Sequence, residues 1–271
     1  MQPDSILSII KKIEQTLYIM NFQLNNIPER TTRPRSHGIS MIMDKGSGMS
    51  NVKDFLDAAH SYIDIVKLGF GTSVVTQNLK AKLALYSEYN IPVYFGGTLF
   101  EAFLVRNQID DYIAYLKDYG LTSVEVSDGS VSISHAEKCK HIERFANEGF
   151  TVYSEVGSKD AQHIMPPFKW IEQMENELNA GSSYVIAEAR EAGNIGIYRD
   201  SGEVREGLIQ EIIRKIPVEK IIWESPQKAQ QVYFINLLGC NANLGNIAPS
   251  EIIALEAMRI GLRGDSFNFY L

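Results

Sequence analysis

Cysteine and histidine are scarce in this chain, with two of the first and five of the second among 271 residues. Cys139 and Cys240 form no Cys-x-x-Cys pair that could hold zinc or run thiol exchange. They give no disulfide framework either, which fits a reduced compartment. His37, His60, His135, His141 and His163 show no metal-ligand spacing. His60, His135 and His141 fall in helices or at helix starts, where packing or surface roles are expected. No Gly-x-Ser-x-Gly elbow, Ser-His-Asp arrangement or Gly-x-Gly-x-x-Gly turn is present, so the usual hydrolase and dinucleotide signatures are missing. No apolar run approaches the roughly 20 residues that span a bilayer. The start, Met1-Gln2-Pro3-Asp4-Ser5, has no basic n-region of a secretory signal. The expectation is a cytoplasmic protein without a membrane partner. Positive charge is also in deficit. A formal net charge of −7 argues against a nucleic-acid partner, which needs a basic face.

What the chain does have is a period. Eight short apolar runs each lead into a polar cluster: Ile39–Met43, Tyr62–Val66, Ile91–Phe95, Ser123–Val126, Phe150–Tyr153, Tyr184–Ala187, Lys220–Trp223 and Asn241–Leu244. Their centres lie 21 to 36 residues apart, room for one crossover helix each. The segments between them carry apolar residues at helical spacing, as in Val52, Phe55, Leu56 and Ala59. Ser250–Gly261 closes the series, with Ser250 read as N-cap and Gly261 as C-cap. Eight β-α units in a chain near the roughly 250 residues typical of the fold predict a single (β/α)8 TIM barrel over residues 37–271. Residues 1–36 form an extension: a helix patterned by Ile6, Ile9, Ile10, Ile13 and Leu17, then the basic connector Arg30-Thr31-Thr32-Arg33-Pro34-Arg35. Its expected role is to cap the barrel bottom or pack on a neighbouring subunit.

Such barrels do their chemistry where strand C-termini converge, so the polar clusters are expected to form one site. Seven acids lie at those ends: Asp44, Glu125, Asp128, Glu155, Glu188, Glu191 and Glu224. Any one of them could be a helix cap, but several around one mouth would repel each other without a cation. Hard oxygen ligands favour Mg²⁺. Glu155 and Glu188 are the first metal candidates, followed by Glu125 and Asp44. Lys45, Lys67, Lys159, Arg190 and Lys228 are interleaved with them, which suits a substrate bearing phosphate and carboxylate. The turns Gly69-Phe70-Gly71-Thr72-Ser73, Gly96-Gly97-Thr98 and Asn243-Leu244-Gly245-Asn246 offer backbone N–H groups and amides for anion oxygens. Gly71, Thr72, Ser73, Gly97, Thr98, Asn243 and Asn246 are therefore candidate substrate contacts, with Lys45 and Lys228.

Read together, these turns resemble the phosphosulfolactate synthase family. The likeness is carried by Asp44-Lys45-Gly46, Lys67-x-Gly69-x-Gly71-Thr72-Ser73, Gly96-Gly97-Thr98-Leu99-Phe100-Glu101, Ser127-Asp128-Gly129, Glu155-Val156-Gly157, Asn243-Leu244-Gly245-Asn246-Ile247 and Gly261-Leu262-Arg263-Gly264-Asp265. It implies a Mg²⁺-dependent lyase that joins sulfite to phosphoenolpyruvate, giving (2R)-phospho-3-sulfolactate, as in coenzyme M biosynthesis. It also implies a homo-oligomer, with a trimer the expected form. The family's proton donor, the second residue of a Lys-Lys pair after Glu-Val-Gly, corresponds here to Lys159, and its basic neighbour is replaced by Ser158. Lys67 and Arg190 complete the expected catalytic set. Two alternatives stay open: a lyase or aldolase acting on another phosphorylated or sulfonated acid, and a non-catalytic role like that of plant relatives linked to heat-stress tolerance.

Overall fold

The computed structural model describes residues 21–22, 24–157, 165–189 and 192–267. The expected N-terminal helix, Lys159 and Arg190 lie outside the described residues. Eight strands, β1 (Ser40–Asp44), β2 (Ile65–Leu68), β3 (Val93–Phe95), β4 (Ser123–Val126), β5 (Thr151–Val156), β6 (Tyr184–Ala187), β7 (Ile221–Glu224) and β8 (Leu244–Ile247), make one sheet. Its order is β3-β2-β1-β8-β7-β6-β5-β4, and all its pairs are parallel. β3 and β4 lie side by side and bring the sheet round into a nearly closed barrel. Across this seam the Gly97 amide donates to Glu125 Oε1 at 2.6 Å.

The surrounding helices are α1 (Met49–Ala59), α2 (Thr72–Val75), α3 (Leu79–Glu88), α4 (Gly97–Leu104), α5 (Ile109–Asp118), α6 (His135–Asn147), α7 (Pro167–Asn179), α8 (Glu206–Ile213), α9 (Lys228–Leu238) and α10 (Ile252–Arg259). Their apolar faces pack on the outside of the strands, where Leu56, Tyr86, Leu116, Phe145, Trp170 and Phe234 are fully buried. None among the described residues is long and apolar enough to cross a membrane. α2 and α4 begin directly at the glycine turns after β2 and β3. Ser250 lies in a 3-10 turn, and Glu251 takes the N-cap position of α10 instead.

Inside the barrel, Ile39, Met41, Ile65, Tyr94, Tyr153, Ile186 and Ile222 form a separate core. Tyr94, Tyr153 and Tyr184 stack in a column, with ring centroids 5.0 and 5.8 Å apart. At its lower end the Tyr184 hydroxyl donates to the Ser36 carbonyl. The floor beneath it is closed by the basic connector. Arg30 donates to Glu256 at 2.9 Å and to the Gly38 carbonyl at 2.9 Å, and Arg35 reaches Asp64 at 3.0 Å. The connector therefore closes the bottom of the barrel, while the helix expected to cap it or pack on a neighbouring subunit lies outside the described residues.

Candidate active site

The upper layer of the barrel interior is acidic. β2 carries Lys67, β4 carries Glu125, β5 carries Glu155, β7 carries Glu224, and Glu188 follows β6. All five line one cavity of about 450 Å³ at the strand C-termini, within the range of small-molecule sites. None of them is more than 5% exposed. Lys67 Nζ stands among three carboxylates, 3.0 Å from Glu125, 3.4 Å from Glu224 and 3.5 Å from Glu155. Burial opposes its charge, but the three glutamates outweigh burial and hold the ammonium well above the usual lysine range.

The carboxyls feel the opposite balance. Burial pushes Glu224 up to about 7, with Glu155 and Glu125 adding to the rise against the pull of Lys67. Burial likewise raises Glu125, against Lys67 and the Gly97 amide. Glycine is required at position 97, since a Cβ there would lie 2.8 Å from Glu125 Oε1 and 2.7 Å from the Ser127 Cβ. The N-terminus of α4 thus already holds an anion, the side chain of Glu125.

Glu155, Glu188 and Glu224 each offer an oxygen within 4.8 Å of the other two. Three buried hard-oxygen donors at that separation fit a divalent cation such as Mg²⁺, which takes carboxylates together with substrate oxygens. Glu224 also accepts from the Ala189 amide at 3.0 Å, which ties β7 to the turn after β6.

The remaining expectations divide. Gly97, Thr98 and Asn246 line the cavity with the glutamates. Asn246 stands in β8 with φ +56°, a conformation that non-glycine residues adopt mainly at special sites. Its Oδ1 is buried without a hydrogen-bond partner. Asp44 is not in the mouth. β1 turns its carboxylate outward to Lys82 on α3 at 2.5 Å and to the Tyr86 hydroxyl at 2.8 Å. Burial works against this charge, but Lys82, the Gly46 and Ser47 amides and Tyr86 together hold the carboxyl below its usual range. Asn243 is also displaced. β8 starts three residues later than the apolar run suggested, so Asn243 sits at the floor, accepting from the Ile39 amide and donating to the Ile221 carbonyl. Thr72 folds its hydroxyl back onto the Gly69 carbonyl at 2.9 Å. Gly71, Thr72 and Ser73 lie outside the cavity lining, and Phe70 of the same turn takes their place. Lys45 is exposed after β1, and Lys228 at the start of α9 pairs with Glu251 at 3.0 Å, both outside the lining. Glu224 belongs to the metal-type triad, although the sequence pattern marked it only as one of the strand-end acids and not as a metal candidate. Asn194, in the long segment after β6, lines the cavity without any motif to announce it.

A profile described as (2R)-phospho-3-sulfolactate synthase (ComA) matches residues 28–265. The chain belongs to this family. Phosphosulfolactate synthase of Methanothermobacter thermautotrophicus is 41% identical over 246 residues, 89% of this chain and 95% of that protein. Phosphosulfolactate synthase of Bacillus subtilis is 39% identical over 244 residues, 89% of this chain and 96% of that one. Among solved structures, 3-hexulose-6-phosphate synthase from Salmonella typhimurium superposes with a TM-score of 0.52 at 15% identity, covering 86% of this chain and all of that one. That likeness is one of fold. The phosphosulfolactate synthase match, by contrast, covers every strand and every residue of the acidic mouth.

Proposed function

We propose that this chain is a phosphosulfolactate synthase, adding sulfite to phosphoenolpyruvate to give (2R)-phospho-3-sulfolactate. The observation that carries the reading is the family match along residues 28–265, with relatives of that name 39–41% identical over nearly their full length. The buried carboxylates around Lys67 support it, because the reaction needs a cation where negative charge develops. Glu155, Glu188 and Glu224 would hold Mg²⁺, which when bound would stabilise the extra charge on the substrate carboxylate.

In the reaction, the sulfur lone pair forms a C–S bond at the methylene carbon. The π pair moves toward the α-carbon and carboxylate, and a proton delivered to the α-carbon completes the product. Lys159 is the proposed donor of that proton. Lys67, held protonated by its glutamates, supplies fixed positive charge within the mouth, and Arg190 would neutralise substrate phosphate or carboxylate. Gly97, Thr98 and Asn246 border the space where substrate oxygens would sit. The same reading carries a cytoplasmic homo-oligomer, with a trimer as the expected form, measurable by light scattering.

The direct test incubates the protein with phosphoenolpyruvate, sulfite and Mg²⁺ and follows phosphosulfolactate by phosphorus NMR. Product that disappears with chelator is expected. A folded, Mg²⁺-binding protein that gives none would overturn the reading. Lys159→Ala is expected to lower turnover by about 10²–10⁴, the usual range for removing a general acid.

A further inference from the structure

Each glutamate of the buried triad has its main-chain carbonyl held from outside the strand ladder. Lys138 Nζ on α6 donates to the Glu155 carbonyl at 2.5 Å. The Ile197 amide donates to the Glu188 carbonyl at 3.1 Å. The Tyr198 hydroxyl donates to the Glu224 carbonyl at 2.6 Å. Two of these donors are side chains, both almost fully buried, and neither lines the cavity.

Both are themselves held firmly. Lys138 is clamped by Asp128 at 3.0 Å and by Glu177 on α7 at 2.8 Å. Burial opposes its charge, but Glu177 and Asp128 keep the ammonium above its usual range, so it remains a donor. Tyr198 belongs to the segment between β6 and α8, which Gln230 of α9 fixes by donating to the carbonyls of Gly193 at 2.7 Å and Gly202 at 3.1 Å. Gly196, at φ +65°, lies against the Glu188 carbonyl so closely that a Cβ there would overlap it.

Three carboxylates within 4.8 Å repel one another, and each stands at or within one residue of the C-terminal end of its strand. Fixing the peptide plane beneath each one leaves only side-chain torsions free to relieve that repulsion. We infer that Lys138 and Tyr198 are positioning residues, which hold the acidic triad at metal-ligating separation through the main-chain carbonyls of Glu155 and Glu224. The inference rests on reading the triad as a metal site. Groups one layer behind metal ligands typically change affinity by about 10–100-fold when removed.

The test is titration calorimetry of the full-length protein with MgCl₂ and no substrate, alongside thermal melts in chelator. Tyr198→Phe removes one oxygen and keeps the ring, and is expected to weaken Mg²⁺ binding about 10-fold or more while the melting temperature moves little. Lys138→Met should weaken binding and also lower the melting temperature, because it strands Glu177. Lys138→Arg, which keeps the charge, should recover the stability ahead of the affinity, because a guanidinium does not match the short Lys138–carbonyl contact. A purely structural role would lower melting temperatures and leave Mg²⁺ affinity unchanged. Wild-type affinity in Tyr198→Phe, or in a folded Lys138→Met, would overturn the inference. Absence of Mg²⁺ binding by the wild type, or unchanged binding in Glu188→Gln, would instead overturn the metal reading beneath it.

Discussion

The barrel buries charge at both ends, and the two ends are built in opposite ways. At the floor, Arg30, Arg33, Arg35 and Arg259 meet Asp64 and Glu256, and most of their other guanidinium protons go to backbone carbonyls or to the side chains of Thr31 and Asn241, while Arg259 Nε has no hydrogen-bond partner among the described residues. Arg33 donates to the His60 and Asn90 carbonyls, and Arg259 to those of Cys240, Ala242 and Ile39. At the mouth, among the described residues, four glutamates face the single ammonium of Lys67. The floor is a set of opposite charges with ordered acceptors, which is how buried ions become tolerable. The mouth is a set of like charges that Lys67 balances only in part, and that bound protons or an added cation would relieve. Between them lies the tyrosine column, which keeps the two networks apart.

If that contrast is right, the ends should answer mutation differently. The largest effect is expected from Glu188→Gln in the mouth. Losing a metal-type ligand should lower kcat/KM by about 10³ or more, since a bound cation is worth several kcal/mol of charge stabilisation. The melting temperature in chelator should hold or rise, because one of three mutually repelling carboxylates is gone. A variant that melts much earlier yet keeps activity would reverse the assignment of that end. Glu256→Gln at the floor should do the converse. It leaves Arg30 and Arg259 without their counter-charge and is expected to cost about 3–5 kcal/mol of stability, as breaking a buried pair does. Kinetic constants below the melting transition should stay near wild type.

A pH series sharpens the comparison. Glu224 is raised in the folded protein to about 7 from an ordinary 4.5, and Glu125 and Glu177 are also raised by burial. Between those limits the native state keeps protons that the unfolded chain releases, so stability is fullest below the unfolded value and falls as pH rises toward 7. Melting temperatures in chelator should therefore decline from about pH 5 to 8, and Glu224→Gln should flatten part of that decline. On the proposed reading Mg²⁺ would compete with the same proton, so its affinity should rise over the same range. Flat melting temperatures in the wild type would mean that the mouth is not strained by its own charge.

The contrast also explains what the sequence could and could not tell. The eight strands were legible because apolar runs of Val, Ile and Tyr end in polar clusters with a regular period. Which side of a strand faces inward was harder to read, because strands buried on both faces lack the alternation that marks an exposed sheet. Asp44 looked like Glu155 for this reason, yet its partners Lys82 and Tyr86 lie on a helix some forty residues away. Asn243 moved from mouth to floor with a three-residue shift of β8, since Asn241-Ala242-Asn243 is no more strand-like than Gly245-Asn246. Glu155, Glu188 and Glu125 were placed in the mouth by position alone. The fourth glutamate, Glu224, was placed there by the same rule, but only the geometry of the triad ranks it as a metal-type ligand. The turn after β3 hid a helix because its cap is Glu125, supplied by the next strand and invisible to local pattern.

The smallest expected effect lies at the boundary of the mouth. Lys228 stands on the rim in a pair with Glu251, their side chains 42% and 35% exposed. Such pairs contribute roughly 0–1 kcal/mol, because water screens the charges and two long side chains must be ordered. Lys228→Ala should therefore change stability by less than about 1 kcal/mol. If the cavity ends where its lining does, KM for phosphoenolpyruvate should also stay put. A tenfold rise in KM with unchanged kcat would extend the anion-binding surface past Asn246 to the start of α9. The acidic mouth would then reach part of its charge balance through the substrate contacts at its rim.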